Sequence, residues 1–319
     1  MGSKSVTESR SSWEHGAQAL ALLDAARERG YLDFLAEPRT AAEVTGFAGH
    51  RADDILDAFL AHGIVVAADG KFQLDPQLAT ELSPGAPVDL AAQITRAALL
   101  ARQVADVVRT GAAPVSAEES IVIARSVALT PNDASRGIVT AILAAVPEMR
   151  TAIENGRLLD VGSGVGGFVL TAATLLPGLR ATSLELLPEV AAVARERAAA
   201  VGVTDRVDIR AQDARDFTAD AEFDSAFWAQ PFFPEQTRAA TLAMILRALR
   251  PGGTLVIQQL DDDNGEPATT LARLVAHAQG LPFARPLADL VTETVAAGFE
   301  LIRTLEIDLG RIAVLRRPA

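Results

Sequence analysis

The stretch with the most chemical potential is Arg157-Leu-Leu-Asp160-Val-Gly162-Ser163-Gly164-Val-Gly166-Gly-Phe168. Glycines at alternate positions let the chain turn with positive φ, and their missing Cβ atoms let a ligand lie against bare backbone. Free N–H groups at the start of a following helix would point at that ligand. The chemistry implied is cofactor binding, and a turn of this kind serves nicotinamide, flavin and adenosyl groups alike. Asp160, just ahead of the turn, narrows the choice. A carboxylate there disfavours a pyrophosphate and favours a ligand with a positive amino group. Glu185, 21 residues past Gly164, ends a second apolar run, where an acid can accept from ribose hydroxyls. Asp213 follows a third such run.

Groups for the reaction itself are sparser. The chain has no cysteine, which excludes thiol catalysis, disulfides and thiolate metal sites. Of its four histidines, His50 and His62 read as helix-end surface residues. His15 falls on the first helix. His277 falls in an insertion after the fifth strand and is the candidate base or acceptor contact. Trp228, Gln230, Phe232 and Phe233 form a run able to pack a planar acceptor, or to shelter a cation against aromatic faces. Phe232 and Phe233 fit a plain core role equally well. Asp261, Asp262 and Asp263 are contiguous, whereas a metal needs ligands converging from several elements, so no metal is expected.

The elements that must position these residues alternate strand with helix from Arg157 onward, the pattern of a Rossmann-like, doubly wound α/β sheet. Strands are expected at Leu158–Val161, Arg180–Glu185, Val207–Arg210, Ser225–Trp228 and Thr254–Gln258. A helix is expected from Pro234 to Arg250, ahead of Pro251-Gly252-Gly253. Two last strands, around Gly298 and Arg311, suit a closing antiparallel hairpin. Upstream, the apolar spacing from Trp13 to Arg29 gives a helix stopped by Gly30. Thr40 and Glu43 form a capping box, and His50 to His62 reads as an amphipathic helix. Asp69-Gly70 makes the turn of a hairpin. Three helices and a two-stranded wing suggest a winged-helix-like unit at 13–115, after a frayed tail at 1–12. Linker helices span 116–155, with Pro147 near the end of one, and the cofactor domain is 156–319.

A winged helix raises the question of DNA. Residues 1–110 carry 15 acids against 10 bases, and the 50–62 helix holds Asp53, Asp54 and Asp57 against Arg51 alone. Phosphates would repel that helix, so dimerisation or covering the substrate is the better reading. The net charge of −12 also argues against a nucleic-acid or anionic membrane partner. No apolar run is long enough to span a bilayer. The polar start reads as no secretory leader, so a cytoplasmic location is expected.

Taken together, Leu-Leu-Asp160-Val-Gly162-Ser-Gly164-Val-Gly166-Gly, Ser-Leu-Glu185, Ala-Gln-Asp213-Ala, Phe223-Asp224-Ser-Ala-Phe and Leu249-Arg-Pro251-Gly252-Gly253 resemble the class I S-adenosylmethionine-dependent methyltransferases. The match covers residues 130 to 319. The N-terminal unit is similar to the dimerisation domain of small-molecule O-methyltransferases. The resemblance implies S-adenosylmethionine as cofactor. Gly162, Ser163, Gly164 and Gly166 would line its methionine part and Asp160 would hold its amino group. Glu185 would take its ribose, Leu186 and Asp213 would meet the adenine beside Ala214, and Ala229 would adjoin the cofactor. It also implies a homodimer, in which His15 can reach the partner's site, and a small, aromatic or apolar acceptor, with O-methylation leading. The base histidine of the plant-type enzymes aligns with Phe233, so that mechanism does not carry over. Gln230-Pro231-Phe232-Phe233 partly matches a motif of amino-methylating enzymes, which keeps N- and C-methylation open. A cofactor-binding relative without transfer, and a cofactor-sensing regulator, are the remaining alternatives.

Overall fold

The computed structural model describes residues 6–260 and 264–319. The acidic run at 261–263 and the side chain of Trp13 lie outside the described residues.

The N-terminal unit runs α1 (Val6–Glu28), α2 (Tyr31–Phe34), β1 (Arg39–Thr40), α3 (Ala41–Ala48), α4 (Ala52–Ala61), β2 (Val65–Ala68), β3 (Lys71–Leu74) and α5 (Pro76–Leu82). Helix α1 begins inside the stretch expected to be a tail. The capping box on α3 is complete: Thr40 accepts from the Glu43 backbone, and Glu43 accepts in return from the Thr40 backbone. Asp69 and Gly70 both adopt positive φ (50° and 71°), the two-residue turn that matches the twist of paired strands. The three short strands pair in the order β1-β3-β2. Leu35, Val44, Leu56 and Phe59 fill the core beneath them, with Tyr31 edge-on to Phe47 and Phe59. Helix α5 had no counterpart in the sequence reading. Asp75 caps it and Pro76 opens it.

Four helices bridge to the cofactor domain: α6 (Leu90–Thr110), α7 (Ala117–Val127), α8 (Asp133–Ala145) and α9 (Pro147–Ile153). Pro147 starts α9 instead of closing α8, because a first-turn residue needs no N–H partner. Helices α6 and α7 lie antiparallel: Gln93 donates to the Ser126 carbonyl at one end, and Arg102 pairs with Glu119 at the other.

The cofactor domain is built from β4 (Arg157–Val161), α10 (Gly167–Leu175), β5 (Arg180–Glu185), α11 (Pro188–Ala200), β6 (Val207–Ala211), β7 (Phe223–Trp228), α12 (Glu235–Ala248), β8 (Leu249–Gln259), α13 (Pro267–Ala278), α14 (Leu287–Ala296), β9 (Glu300–Ile307) and β10 (Gly310–Arg316). The sheet order is β6-β5-β4-β7-β8-β10-β9. Strands β4 to β8 are parallel, and β10 runs antiparallel to both its neighbours. Apolar clusters cover both faces, one centred on Val169, Leu170 and Val256, the other on Leu159, Ile245 and Leu255. Burial on both faces is why β4 reads as a continuous apolar run instead of an alternating one.

Strand β8 starts at Leu249, five residues before the expected Thr254, so Pro251-Gly252-Gly253 lies inside it. Phe223 pairs with Leu249 and Ser225 with Thr254, which leaves Asp224 alone opposite Arg250–Gly253. Asp224 anchors this bulge by accepting from the Arg157 backbone at 2.7 Å and pairing with Arg250. From β4 the chain steps outward to β5 and β6, then returns to β7 on the other side. That reversal opens a crevice at the carboxyl ends of β4 and β7.

Candidate active site

Asp160 and the glycine turn occupy that crevice. The turn is closed by backbone bonds from Gly162 and Ser163 to the Leu184 carbonyl, at 2.9 and 3.1 Å. Gly162, Gly164 and Gly166 all have positive φ (78°, 56° and 77°). The need for glycine is steric as well at Gly162: a Cβ there would lie 2.7 Å from Cε2 of Phe233. Gly167, next in line, opens α10. A Cβ there would lie 2.6 Å from the Leu129 carbonyl oxygen, so the chain between α7 and α8 closes directly on the turn. Ala124 of α7 stands over Gly164. The segment between α7 and α8 thus packs directly against the glycine turn.

Electrostatics sharpen the assignment. Asp160 is only 2% exposed, and burial followed by the charge of Glu185 pushes its pKa up to about 7. Among the described residues, neither a hydrogen bond nor a cation offsets these effects. Burial also raises the Glu185 carboxyl, against the lowering effect of backbone N–H donors. Its two oxygens accept from Gly164 at 2.9 Å and Leu187 at 3.0 Å, which fixes them at the mouth of the turn with acceptor capacity left. A buried and a half-buried carboxylate, with no cation beside them among the described residues, fit a ligand that brings its own positive charge and its own hydroxyl donors.

The adenine side is looser. Leu186 is 61% exposed, as a hydrophobic platform awaiting a planar group would be. Ala214, which follows Asp213, is buried. Asp213 caps a short 3-10 turn, and its carboxylate is held bidentately by Arg215, which lowers its pKa. A second donor on Asp213 must share it with that guanidinium.

Across the crevice, Ala229 donates to the Val161 carbonyl at 3.0 Å, so the segment after β7 runs alongside the turn. Phe233 lies on Gly162, and Phe232 is largely exposed next to it. The other two residues expected in the acceptor pocket are placed differently. Trp228 is fully buried among Leu242, Ile245 and Ile257, because a strand residue on this face points into the core. Gln230 is also buried, and its amide is engaged at both ends: Nε2 donates to the Gln258 carbonyl, and Oε1 accepts from Arg238. Gln230 is therefore part of the scaffold behind the aromatic wall.

His277 is exposed on α13 and His15 is exposed on α1. The residue missed in the sequence is Arg238, buried on α12. Arg238, Thr241, Leu242 and Ile245 share one helical stripe, so an arginine heading an apolar face was a readable signal.

Comparison with known proteins agrees with this geometry. Residues 158–253 match the family described as "Methyltransferase domain". The 3-hydroxy-5-methyl-1-naphthoate 3-O-methyltransferase of Streptomyces sahachiroi is 30% identical over 268 residues, 77% of this chain and 75% of that protein. The solved structure of the mitomycin 7-O-methyltransferase MmcR shares the fold at a TM-score of 0.72 and 22% identity, over 98% of this chain and 97% of that one. Human N-acetylserotonin methyltransferase, solved in complex with SAM, does so at 0.71 and 19% over the full length of both chains. A crevice lined by Asp160, Glu185 and the glycine turn fits the cofactor of that family. The chain belongs to the class I S-adenosylmethionine-dependent methyltransferases. It transfers a methyl group from that cofactor to a small molecule.

Proposed function

We propose that the protein is an O-methyltransferase whose acceptor is a small aromatic hydroxy compound of secondary metabolism. The carrying observation is the seat of Phe233 on Gly162, which sets an aromatic wall against the cofactor turn. The naphthoate enzyme of Streptomyces sahachiroi, 30% identical, supports the same acceptor class. When bound, S-adenosylmethionine supplies an electrophilic methyl group on a sulfonium. The chain's own contribution is to hold and align. Asp160 would receive the ammonium and Glu185 the ribose hydroxyls. Gly162, Ser163, Gly164 and Gly166 would lie along the methionine part. Leu186, Asp213 and Ala214 would border the adenine. Phe232 and Phe233 would stack the acceptor and keep water away from the transfer point. Alignment of two reactants in a closed site is itself worth several orders of magnitude in rate.

The N-methylation alternative loses support from Gln230. An amide already bonded to Gln258 and Arg238 does not orient an acceptor amine. We further assign residues 13–115 as a winged-helix-like dimerisation unit, 116–155 as linker helices and 156–319 as the cofactor domain, in a cytoplasmic homodimer. In favour of this, Asp53, Asp54 and Asp57 lie exposed on α4, a surface that phosphates would avoid. No helix among the described residues is long and apolar enough to cross a membrane.

Product analysis tests the proposal. Incubation with a hydroxynaphthoic acid and S-adenosylmethionine should give S-adenosylhomocysteine in step with an acceptor heavier by one methylene, methylated on oxygen. Methylation on nitrogen or carbon across a panel of aromatic acceptors would refute it. Sedimentation reads the dimer separately, and a monomer at micromolar concentration would remove that assignment.

A further inference from the structure

We propose that Arg238 is a positioning residue for methyl transfer: from the core of α12 it holds the segment at 229–233 so that Phe233 stays seated on the Gly162 turn. The inference rests on the reading of Phe233 as the wall between cofactor and acceptor. Arg238 is 1% exposed, a degree of burial that arginine reaches only when paired. Its guanidinium makes a two-point hold on Gln230, with Nη1 donating to the backbone carbonyl at 2.8 Å and Nη2 to the side-chain oxygen at 3.2 Å. The opposite edge of the fork is fixed by Glu293 of α14, which accepts from Nε at 2.8 Å and from Nη2 at 2.6 Å.

The planar face of the same group lies 4.7 Å from the Trp228 ring centre. Trp228 in turn meets Phe233 edge-on, with centroids 5.5 Å apart. A continuous set of contacts therefore leads from α14 through Arg238 and Trp228 to Phe233 and the cofactor turn. Stability alone does not call for this arrangement. A buried ion pair is often matched or exceeded by apolar side chains of similar volume. What apolar residues cannot reproduce is the directional hold on a backbone carbonyl and an amide oxygen of one residue. That hold fixes where the chain leaves β7, three residues before Phe233.

The test uses the full-length protein with Arg238→Met/Glu293→Leu, which removes the buried guanidinium and its half-buried carboxylate together and leaves Arg285 its pairing with Glu235, and Arg238→Lys, which keeps the charge but loses the fork. Melting midpoint, S-adenosylhomocysteine affinity by calorimetry, and kcat and KM at saturating cosubstrate are read for each. We expect the double variant to fold but to melt several degrees below wild type: the paired charges are replaced by apolar groups, while the buried Gln230 carbonyl and amide oxygens lose their donors. Its kcat should fall by about ten- to a hundredfold, the cost of misplacing reactants by about an ångström. S-adenosylhomocysteine affinity should fall at least about tenfold, because the wall over Gly162 loosens. Arg238→Lys should recover only part of each loss. A folded double variant with wild-type kcat and affinity overturns the proposal. If the double variant does not fold, a folded Arg238→Lys protein with unchanged kcat and affinity overturns it equally. The affinity measurement needs no acceptor, so it separates failure of this inference from failure of the acceptor assignment.

Discussion

Asp160→Asn should make the ligand-free protein more stable and at the same time abolish cofactor binding. The carboxyl is 2% exposed, and its pKa is raised from 3.8 to about 7, first by burial and then by Glu185. That displacement makes ionisation in the folded state cost about 4 kcal/mol. A carboxyl with a raised folded pKa gives its full contribution to stability below the unfolded value and loses it as pH climbs through the folded one. Wild-type stability should therefore decline, relative to D160N, between about pH 4 and pH 7 and stay low above it. The Asn amide has its own burial cost of about 1–3 kcal/mol. The net gain at pH 8 is then about 1–3 kcal/mol, which moves a melting midpoint by about 2–4 °C per kcal/mol in a domain of this size. The assay is thermal unfolding of both proteins from pH 4 to 9, with and without saturating S-adenosylhomocysteine, which carries the same ammonium. With ligand the order should reverse, because only the wild type gains. Wild-type affinity should itself weaken about tenfold per pH unit below pH 7, as binding must first strip the proton from Asp160. A D160N protein less stable than wild type at pH 8, or one that still binds, would refute the reasoning.

Gly162→Ala should cut cofactor affinity by more than about tenfold, since a left-handed residue and a 2.7 Å clash with Phe233 combine at the turn; calorimetric affinity within twofold of wild type would contradict this. His277→Ala should leave kcat within about twofold, because general-base catalysis requires reach to the reacting proton and this side chain is exposed on α13. A loss near a hundredfold would restore His277 to the chemistry.

The glycine turn and its flanking acids were legible in the sequence because backbone geometry constrains them. A turn with three positive-φ residues demands glycine, and a buried cation-binding pocket demands acids at strand ends. Asp160, Gly162 and Glu185 are therefore brought together at the turn, as their residue types suggest. The acceptor half depends on which way side chains face, and residue type does not reveal that. Trp228 and Gln230 looked available as an aromatic and an amide beside the methyl, yet strand alternation turns Trp228 inward and Arg238 captures Gln230. The Pro-Gly-Gly run read as a helix stop, whereas the bulge it forms depends on Asp224, 27 residues earlier than Pro251. Such a pairing is fixed by tertiary contact, and local pattern carries no trace of it.

Charge explains why the two halves differ. Methyl transfer from a sulfonium to an ionised oxygen removes two opposite charges at the reacting atoms, and water stabilises the separated charges more than their union. A low-dielectric wall at that point therefore favours transfer. Buried acids belong on the donor side, where a permanent ammonium must be held, and neutral aromatic surface belongs where charge disappears. Phe233 covers Gly162, and in the proposed arrangement the same ring faces the acceptor. Two substitutions separate shape from polarity. Phe233→Leu shortens the wall but keeps it dry, while Phe233→Ser admits water to the turn. If exclusion of water is the main contribution, the Ser variant should be slower than the Leu variant by about tenfold or more in kcat, or about 1.4 kcal/mol in barrier. Acceptor KM should change similarly in both, because both lose the same stacking face. Equal kcat values for the two variants would mean that Phe233 acts by shape alone.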